Sequence, residues 1–331
     1  MSEAIDFIIT WVDGDDPEWQ EDKVKYSKDI DGDKRNIRFR DWDNLQYWFR
    51  AVENYAPWVN KIHFVTCGHL PPWLNTDYPK LNIVKHEDYI PKEYLPTFSS
   101  HPIELNLHRI DGLSERFVYF NDDVFLTKEV EKEDFFKNGL PCDVAIPSPC
   151  SSTSRLGIGA IISNNMEIIN TRFNKKKSIK ENFKKWYNPF LYKKYLISVL
   201  TMAPYKYFTS FLNTHIQYSY LKSTFVEVWE KEEEILKETS KSKFRSKNDV
   251  NQWLMRYWQL ASGKFSPRDI NDGKLFMLGN DNEDVFKAIR NHKYKMICTN
   301  DKIDIDDFEK QKTLLKDSFQ SILPNKSKFE I

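Results

Sequence analysis

The sequence predicts an α/β fold: a mainly parallel sheet flanked by helices, with a helical subregion in the second half. Three observations carry this reading. Apolar, β-branched runs alternate with helix-spaced segments through the first half of the chain, the pattern of strand–helix–strand units. Two strand-like runs stop at acidic residues, Asp13 and Asp122-Asp123, and in parallel sheets ligands bind beyond the carboxyl ends of the strands. Beyond about residue 165 the pattern turns helical and rich in lysine and aromatics.

Taken in order, residues 5–12 are an apolar run ended by Asp13-Gly14, a buried strand running into a turn. Residues 15–37 are highly charged and poor in aliphatics, which reads as an insertion. Residues 41–53 place apolar side chains at 45, 48, 49 and 52, one face of a helix. Residues 61–66 and 82–84 read as the next strands, 97–110 as a helix and 116–121 as another buried strand. In the second half a helix is expected over 218–237, and a last strand over 295–299, ending at Asn300-Asp301. No repeat or Gly/Ser/Pro linker divides the chain. We expect one catalytic unit with a soft boundary: an α/β core over 1–165 and a helical region over 166–331 that wraps it and completes the active site.

Composition narrows the function. The 331 residues carry 49 Lys+Arg and 49 Asp+Glu, a net charge of +0, which removes the bulk electrostatic argument for a nucleic-acid or membrane partner and leaves only local patches. With 40% hydrophobic and 15% aromatic residues, the chain can bury a core, and general disorder is excluded. Neither G-x-G-x-x-G nor G-x-x-x-x-G-K-[ST] occurs, so a Rossmann dinucleotide fingerprint and a P-loop are ruled out. Cys67, Cys142, Cys150 and Cys298 form no C-x-x-C pair, as expected of a reduced cytoplasmic protein. The opening MSEAIDFIITWVDG lacks a basic n-region and reads as a strand, not a signal peptide. Residues 195–212, the best candidate for a membrane span, are broken by Pro204 and Lys206, whereas a span needs about 20 apolar residues.

Candidate chemistry begins at Asn121-Asp122-Asp123. Adjacent carboxylates at a strand end suit Mg²⁺ or Mn²⁺, which take oxygen ligands and leave positions open for phosphate; the same residues also suit a helix cap or a solvated turn. Asp29, Asp31 and Asp33 imitate a calcium loop, but Gly32 is misplaced and no Glu closes it, so a solvated loop is favoured. Of Asp301, Asp304, Asp306 and Asp307, only Asp301 stands at a strand end. His215, ahead of the expected helix, could be a base or phosphate ligand, or an ordinary capping histidine. His101, Glu104 and His108 share a helical face without the i, i+4 pair of a zinc helix, which favours packing. Eight lysines at 175, 176, 177, 180, 184, 185, 193 and 194 interleave with Phe183, Trp186, Tyr187, Phe190, Tyr192 and Tyr195. That tract, residues 174–195, fits an anionic membrane surface or polyanionic glycan, and equally a solvated amphipathic helix.

Longer strings go further: IDFIITWVDGDDPEW, RFRDWDNLQYWFRAVENYAPWVNKIHFVTCGHLPPWLN and LPTFSSHPIELNLHRIDGLSERFVYFNDDVFL. They resemble the Stealth family of sugar-1-phosphate transferases, which includes bacterial capsule enzymes and the α/β subunits of the GlcNAc-1-phosphotransferase that marks lysosomal enzymes. Thr214-His215, YLKSTFVEVWE, FRSKNDVNQW, ICTND and LPNKSKFE resemble its later blocks. The resemblance implies a nucleotide-sugar-binding fold and a metal-dependent reaction, with Mg²⁺ or Mn²⁺. An acceptor hydroxyl would attack the sugar-bound phosphorus of a UDP-sugar, a UDP-hexose or UDP-N-acetylhexosamine, and expel UMP.

By the same resemblance Thr10, Trp11, Val12, Asp13 and Gly14 would line the nucleotide pocket, and Arg38 and Arg40 would approach the phosphates. Asp122, Asp123 and Asp301 would serve the metal, His215 would act as base or phosphate ligand, and Arg245 would stabilise the transferred phosphate. One departure is Gln217, where many members have proline. The implied partner is an oligosaccharide or polysaccharide acceptor, lipid-linked or free, and not nucleic acid. The implied setting is capsule or surface-polysaccharide synthesis in the cytoplasm, at the inner face of the membrane. A conventional glycosyltransferase releasing UDP is the rival reading. A glycan-binding protein is a third, disfavoured by the clustered acids and Arg245.

Overall fold

The computed structural model describes residues 4–27, 40–150, 158–301 and 305–331. Among these are strands β1 (Ile5–Thr10), β2 (Ile62–Thr66), β3 (Leu81–Lys85), β4 (Arg116–Phe120), β5 (Val124–Leu126) and β6 (Phe136–Lys137). The later strands are β7 (Leu140–Asp143), β8 (Tyr218–Leu221), β9 (Ser266–Pro267), β10 (Gly273–Leu278) and β11 (Met296–Asp301). The main sheet runs β3-β2-β1-β4-β8, and two smaller sheets run β10-β11-β5 and β6-β7-β9. β1, β2, β3 and β4 pair in parallel, and β8 closes the edge antiparallel to β4. An α/β fold with a mainly parallel main sheet is therefore what the chain adopts.

Strand periodicity divides the core between two faces. Ile8, Val65, Phe117 and Tyr119 point into one cluster, shared with helices Gly159–Arg172 and Trp253–Ser262. Phe7, Ile9, Phe64, Val118 and Phe120 point into the other, shared with helices Leu45–Tyr55 and Phe308–Ile322. Strands buried on both faces read as continuous apolar runs, as β1 and β4 do.

Several elements differ from expectation. The charged stretch after Asp13 contains a helix, Pro17–Ser27. Proline suits its first position, and Asp16 Oδ1 accepts from the Trp19 N–H at 2.7 Å; the helix lacks a broad apolar stripe, so its periodicity is silent. Asp29, Asp31, Asp33, Asp304 and Arg38 lie outside the described residues. The helix expected over 97–110 is reduced to Ser100–Leu105 and a tight turn. Asn106 Nδ2 donates to Pro102 O at 2.8 Å, so a side chain takes a carbonyl the next helical turn would need.

The helix expected over 218–237 starts four residues late, at Lys222. Tyr218–Leu221 is instead β8, because the open edge of β4 demands partners for its backbone groups and Tyr-Ser-Tyr-Leu suits a pleated surface. His215 therefore precedes a strand, and the helix N-terminus invoked for anion binding is not beside it.

One buried ion pair links the layers. Arg256, from helix Trp253–Ser262, donates from Nε and Nη2 to both oxygens of Asp143, at 2.7 and 2.9 Å. The guanidinium is 1% exposed. Its other bonds go to Asn213 Oδ1 at 2.7 Å, Leu212 O at 3.0 Å and Val144 O at 3.4 Å, so all three nitrogens of the fork are engaged. Arg256→Met should cost about 3–5 kcal/mol in urea unfolding, because Asp143 is left charged and buried. Replacing both partners with apolar residues should cost less; an Arg256→Met cost under about 1 kcal/mol would show the pair to be dispensable.

A candidate active site at the carboxyl ends of the strands

The ends of β1 and β4 lie side by side, since the two strands pair from Ile5↔Arg116 to Ile9↔Phe120. Beyond β1, Trp11 stacks on Phe64 with centroids 5.8 Å apart and meets His69 edge-on. The Asp13 N–H donates to His69 Nε2 at 2.7 Å. That bond needs a lone pair on Nε2, so His69 carries its proton on Nδ1, and burial favours the neutral ring by pushing its pKa down. Asp13 Oδ1 accepts from the Asp15 N–H at 3.0 Å, and Gly14 O accepts from Gln20 Nε2 at 2.8 Å. Thr10, Trp11, Val12, Asp13 and Gly14 thus form a pinned turn at the carboxyl end of the central strand.

Beyond β4, Asp123 is held from the neighbouring sheet. Its Oδ2 accepts from Cys298 Sγ at 3.3 Å and Asn300 Nδ2 at 3.2 Å, and its carbonyl accepts from the Thr299 N–H at 2.8 Å. Its Oδ1 is buried with no partner. Burial raises the pKa of this carboxyl, against the two side-chain donors and the nearby His215. Asp122 is exposed at its surface yet densely surrounded. Desolvation, then repulsion from Asp123 and Asp41, pushes it up to about 7. Asp41 is raised too, by desolvation and by Asp43 and Asp13 among others. Asp13, Asp41, Asp122 and Asp123 therefore crowd one rim. In the sequence Asp41 marks only the start of a helix; its place in the RFRDWDN string is the available signal.

Asp301 and Arg40 meet each other. Arg40 Nε and Nη2 donate to the two carboxylate oxygens of Asp301 at 2.7 and 2.6 Å, Trp42 Nε1 adds a bond at 3.2 Å, and Arg40 lies over the Phe308 ring. Among the described residues no group of three or more His, Cys, Asp or Glu is arranged to hold a metal. Two carboxylates with a free buried oxygen do fit Mg²⁺, which is commonly held by one or two carboxylates together with substrate phosphates.

His215 lies near enough to Asp123 for the two to interact electrostatically. It adopts a left-handed backbone, φ 49°, held by the Tyr218 hydroxyl on its N–H at 3.3 Å and by edge packing on Trp253. Burial pushes its pKa down, Asp123 opposes this, and Arg256 adds to it. The imidazole is thus neutral and able to accept a proton at neutral pH.

Arg245 sits deeper, with Nη2 on Ser100 Oγ at 2.8 Å. Its loop is staked by Asp249, which accepts from Ser242 Oγ and the Ser246 N–H, both at 2.8 Å, and meets His101 Nδ1 at 2.9 Å. Glu104 lies beside it. Burial pushes this carboxyl up to about 7, against the pull of Arg245, Ser100 and Tyr119. The Tyr119 hydroxyl donates to Glu104 Oε1 at 3.3 Å and lies 3.1 Å from Thr10 Oγ1. A chain of contacts therefore runs from the Thr10 turn to Arg245. From its sequence Glu104 is expected only to pack, because helical spacing says nothing of what a face will meet.

Glu104 gives a pH test. Folded, it holds its proton to about 7 against an ordinary 4.5, so stability is full below the ordinary value and is lost as pH rises through 7. The loss is on the order of 3 kcal/mol. Glu104→Gln keeps an acceptor for Tyr119 and cannot ionise. Its melting temperature relative to wild type should rise steadily from about pH 5 to about pH 8; a flat difference would count against a buried, proton-holding Glu104.

Three family models match the chain: Stealth protein CR1, conserved region 1, over residues 3–31; CR2, conserved region 2, over 38–142; and CR4, conserved region 4, over 287–331. A capsular polysaccharide phosphotransferase WcwK of Streptococcus pneumoniae is 48% identical over 334 residues, covering 99% of this chain and 98% of its own. The receptor polysaccharide phosphotransferase WefC of Streptococcus oralis is 42% identical, covering 99% of each chain. The exopolysaccharide phosphotransferase cps2G of Lactiplantibacillus plantarum is 38% identical, covering 98% of this chain and 96% of its own. With these full-length relatives, and with its acidic strand ends in the matched regions, the chain belongs to the Stealth family and is a transferase.

Proposed function

We propose that this enzyme transfers a sugar-1-phosphate from a UDP-sugar, a UDP-hexose or UDP-N-acetylhexosamine, to a hydroxyl of an oligosaccharide or polysaccharide acceptor. The products are a phosphodiester and UMP, in synthesis of a bacterial capsule or surface polysaccharide at the cytoplasmic face of the membrane. The observation that carries this reading is the nearness of a neutral, proton-accepting His215 to Asp123, in the acidic pair that follows β4. It is supported by relatives whose names specify polysaccharide phosphotransfer.

Each residue has a part. Thr10, Trp11, Val12, Asp13 and Gly14 form the nucleotide side, where Trp11 offers a ring face and edge for stacking. Arg38 and Arg40 serve the phosphates, with Asp301 orienting the Arg40 fork rather than holding the metal by itself. Asp122 and Asp123 would hold Mg²⁺ or Mn²⁺, which when bound offsets the charge of the donor pyrophosphate. His215 takes the proton of the acceptor hydroxyl as its oxygen bonds to the sugar-bound phosphorus. The bond from that phosphorus to the UMP oxygen breaks, and UMP departs with the electron pair. Arg245, kept in place by Asp249 and Ser100, faces the charge that spreads over the transferred phosphoryl oxygens.

Incubation with a panel of UDP-sugars and Mg²⁺ or Mn²⁺, followed by nucleotide analysis and phosphorus NMR of the product, tests this. UMP and a phosphodiester signal are expected. UDP, with sugar joined directly through its anomeric carbon, would establish glycosyl transfer instead. His215→Ala should lower kcat about 10²- to 10⁴-fold with little change in donor affinity. Asp123→Asn should lower turnover about 10²-fold or more and weaken the dependence on divalent cation. Near-normal turnover in both variants would remove these residues from the mechanism.

A further inference from the structure

The exposed apolar side chains concentrate in one stretch of the chain. Six of the thirteen large apolar or tyrosine side chains exposed among the described residues fall between 183 and 207: Phe183, Phe190, Ile197, Leu200, Tyr205 and Tyr207. Phe190 is 85% and Ile197 66% exposed. Ile197 and Leu200 share a face of helix Leu196–Met202. The same segment is strongly basic: residues 174–207 hold nine lysines and one acid, Glu181, in a chain with no net charge.

The structure sorts those lysines. Lys175 is buried, its Nζ on Met202 O and Tyr205 O at 2.6 and 2.9 Å, and Lys185 Nζ is held by Gly263 O at 2.6 Å. Both are fastenings of the fold, which corrects their inclusion in a solvent-facing tract. Lys193 pairs with Asp269 and Lys177 with Glu181. Lys176, Lys180, Lys184, Lys194 and Lys206 are exposed and enter no ion pair among the described residues. The Lys175 bonds draw the 202–205 turn against helix Lys175–Glu181. There a pocket of about 280 Å³ opens between Lys176, Lys180, Phe183, Tyr187 and Ala203, floored by the stacked Phe183–Tyr187 pair at 4.5 Å.

We propose that this face, residues 176–207, docks the chain on an anionic phospholipid bilayer. Phe190, Ile197 and Leu200 enter the headgroup region, and Lys176, Lys180, Lys184, Lys194 and Lys206 meet lipid phosphates. Apolar and cationic side chains interleave here, as on interfacial segments whose lysine stems lie along the apolar boundary. A protein partner is a poorer match, since lysine is depleted from the centres of such interfaces. Docking through this face is independent of the donor and the product, and rests on the proposed function only for the benefit of reaching an acceptor at the bilayer.

The test is co-sedimentation of the full chain with vesicles of equal parts phosphatidylglycerol and phosphatidylcholine, against pure phosphatidylcholine. Binding to the anionic vesicles alone, weakened by salt, is expected. Joint replacement of Lys176, Lys180 and Lys184 by Gln should weaken it by about fivefold per lysine, on the order of 100-fold in all. Phe190→Ser with Ile197→Ser should weaken it further, and none of these exposed changes should alter turnover of a soluble acceptor. No binding to anionic vesicles, binding that both variant sets leave intact, or a concentration-dependent dimer that Phe190→Ser with Ile197→Ser abolishes would overturn the proposal. Loss of vesicle binding leaves the nucleotide product unaffected, so the two readings fail separately.

Discussion

The buried Asp143–Arg256 pair is the fixed point of the molecule. Asp143 ends β7 and Arg256 belongs to a helix of the second half, so the pair clamps a small sheet to the helical layer. The remaining guanidinium bonds hold Asn213 and Leu212, which sets the chain on course for His215. A lysine could not substitute, because one ammonium cannot serve a carboxylate and a loop carbonyl in a fixed plane. The left-handed backbone at His215 is tolerated because that loop has little freedom left.

Around this frame the site gathers acidic charge that its neighbours offset only in part. Four carboxylates share a rim, and for Asp122 and Asp41 repulsion from other acids adds to the cost of burial. Charges so arranged do not stabilise a fold; they are kept at functional sites where a ligand is to neutralise them. The contrast with Arg40–Asp301 is instructive. There the opposite charges already satisfy each other in forked geometry, so the pair can orient without waiting for a partner.

What the sequence disclosed depended on the kind of signal. β1 and β4 were legible because strands buried on both faces become unbroken apolar runs, and the acids at their ends followed from chain direction. β8 was not, because Tyr218 to Leu221 adjoins a helical pattern and only the vacant edge of β4, a hundred residues away, decides its state. Arg245 and His215 were recognisable from the strings around them, yet Glu104 and Asp41 gained meaning only once folding placed them beside Arg245 and Asp122. The lysine tract was legible in composition, while which lysines face inward depended on where Met202, Tyr205 and Gly263 would fall.

The late arrival of β8 bears on how the chain is made. Until residues 218–221 leave the ribosome, β4 presents an unpaired edge flanked by apolar faces, a template for pairing with other nascent chains. The central sheet is thus completed by its most distant segment, a topology of high contact order that folds slowly. A fragment ending near residue 165 would keep that edge open indefinitely. Solubility during synthesis should then depend less on the strength of the β1–β4 register than on how soon the second half arrives to cover it.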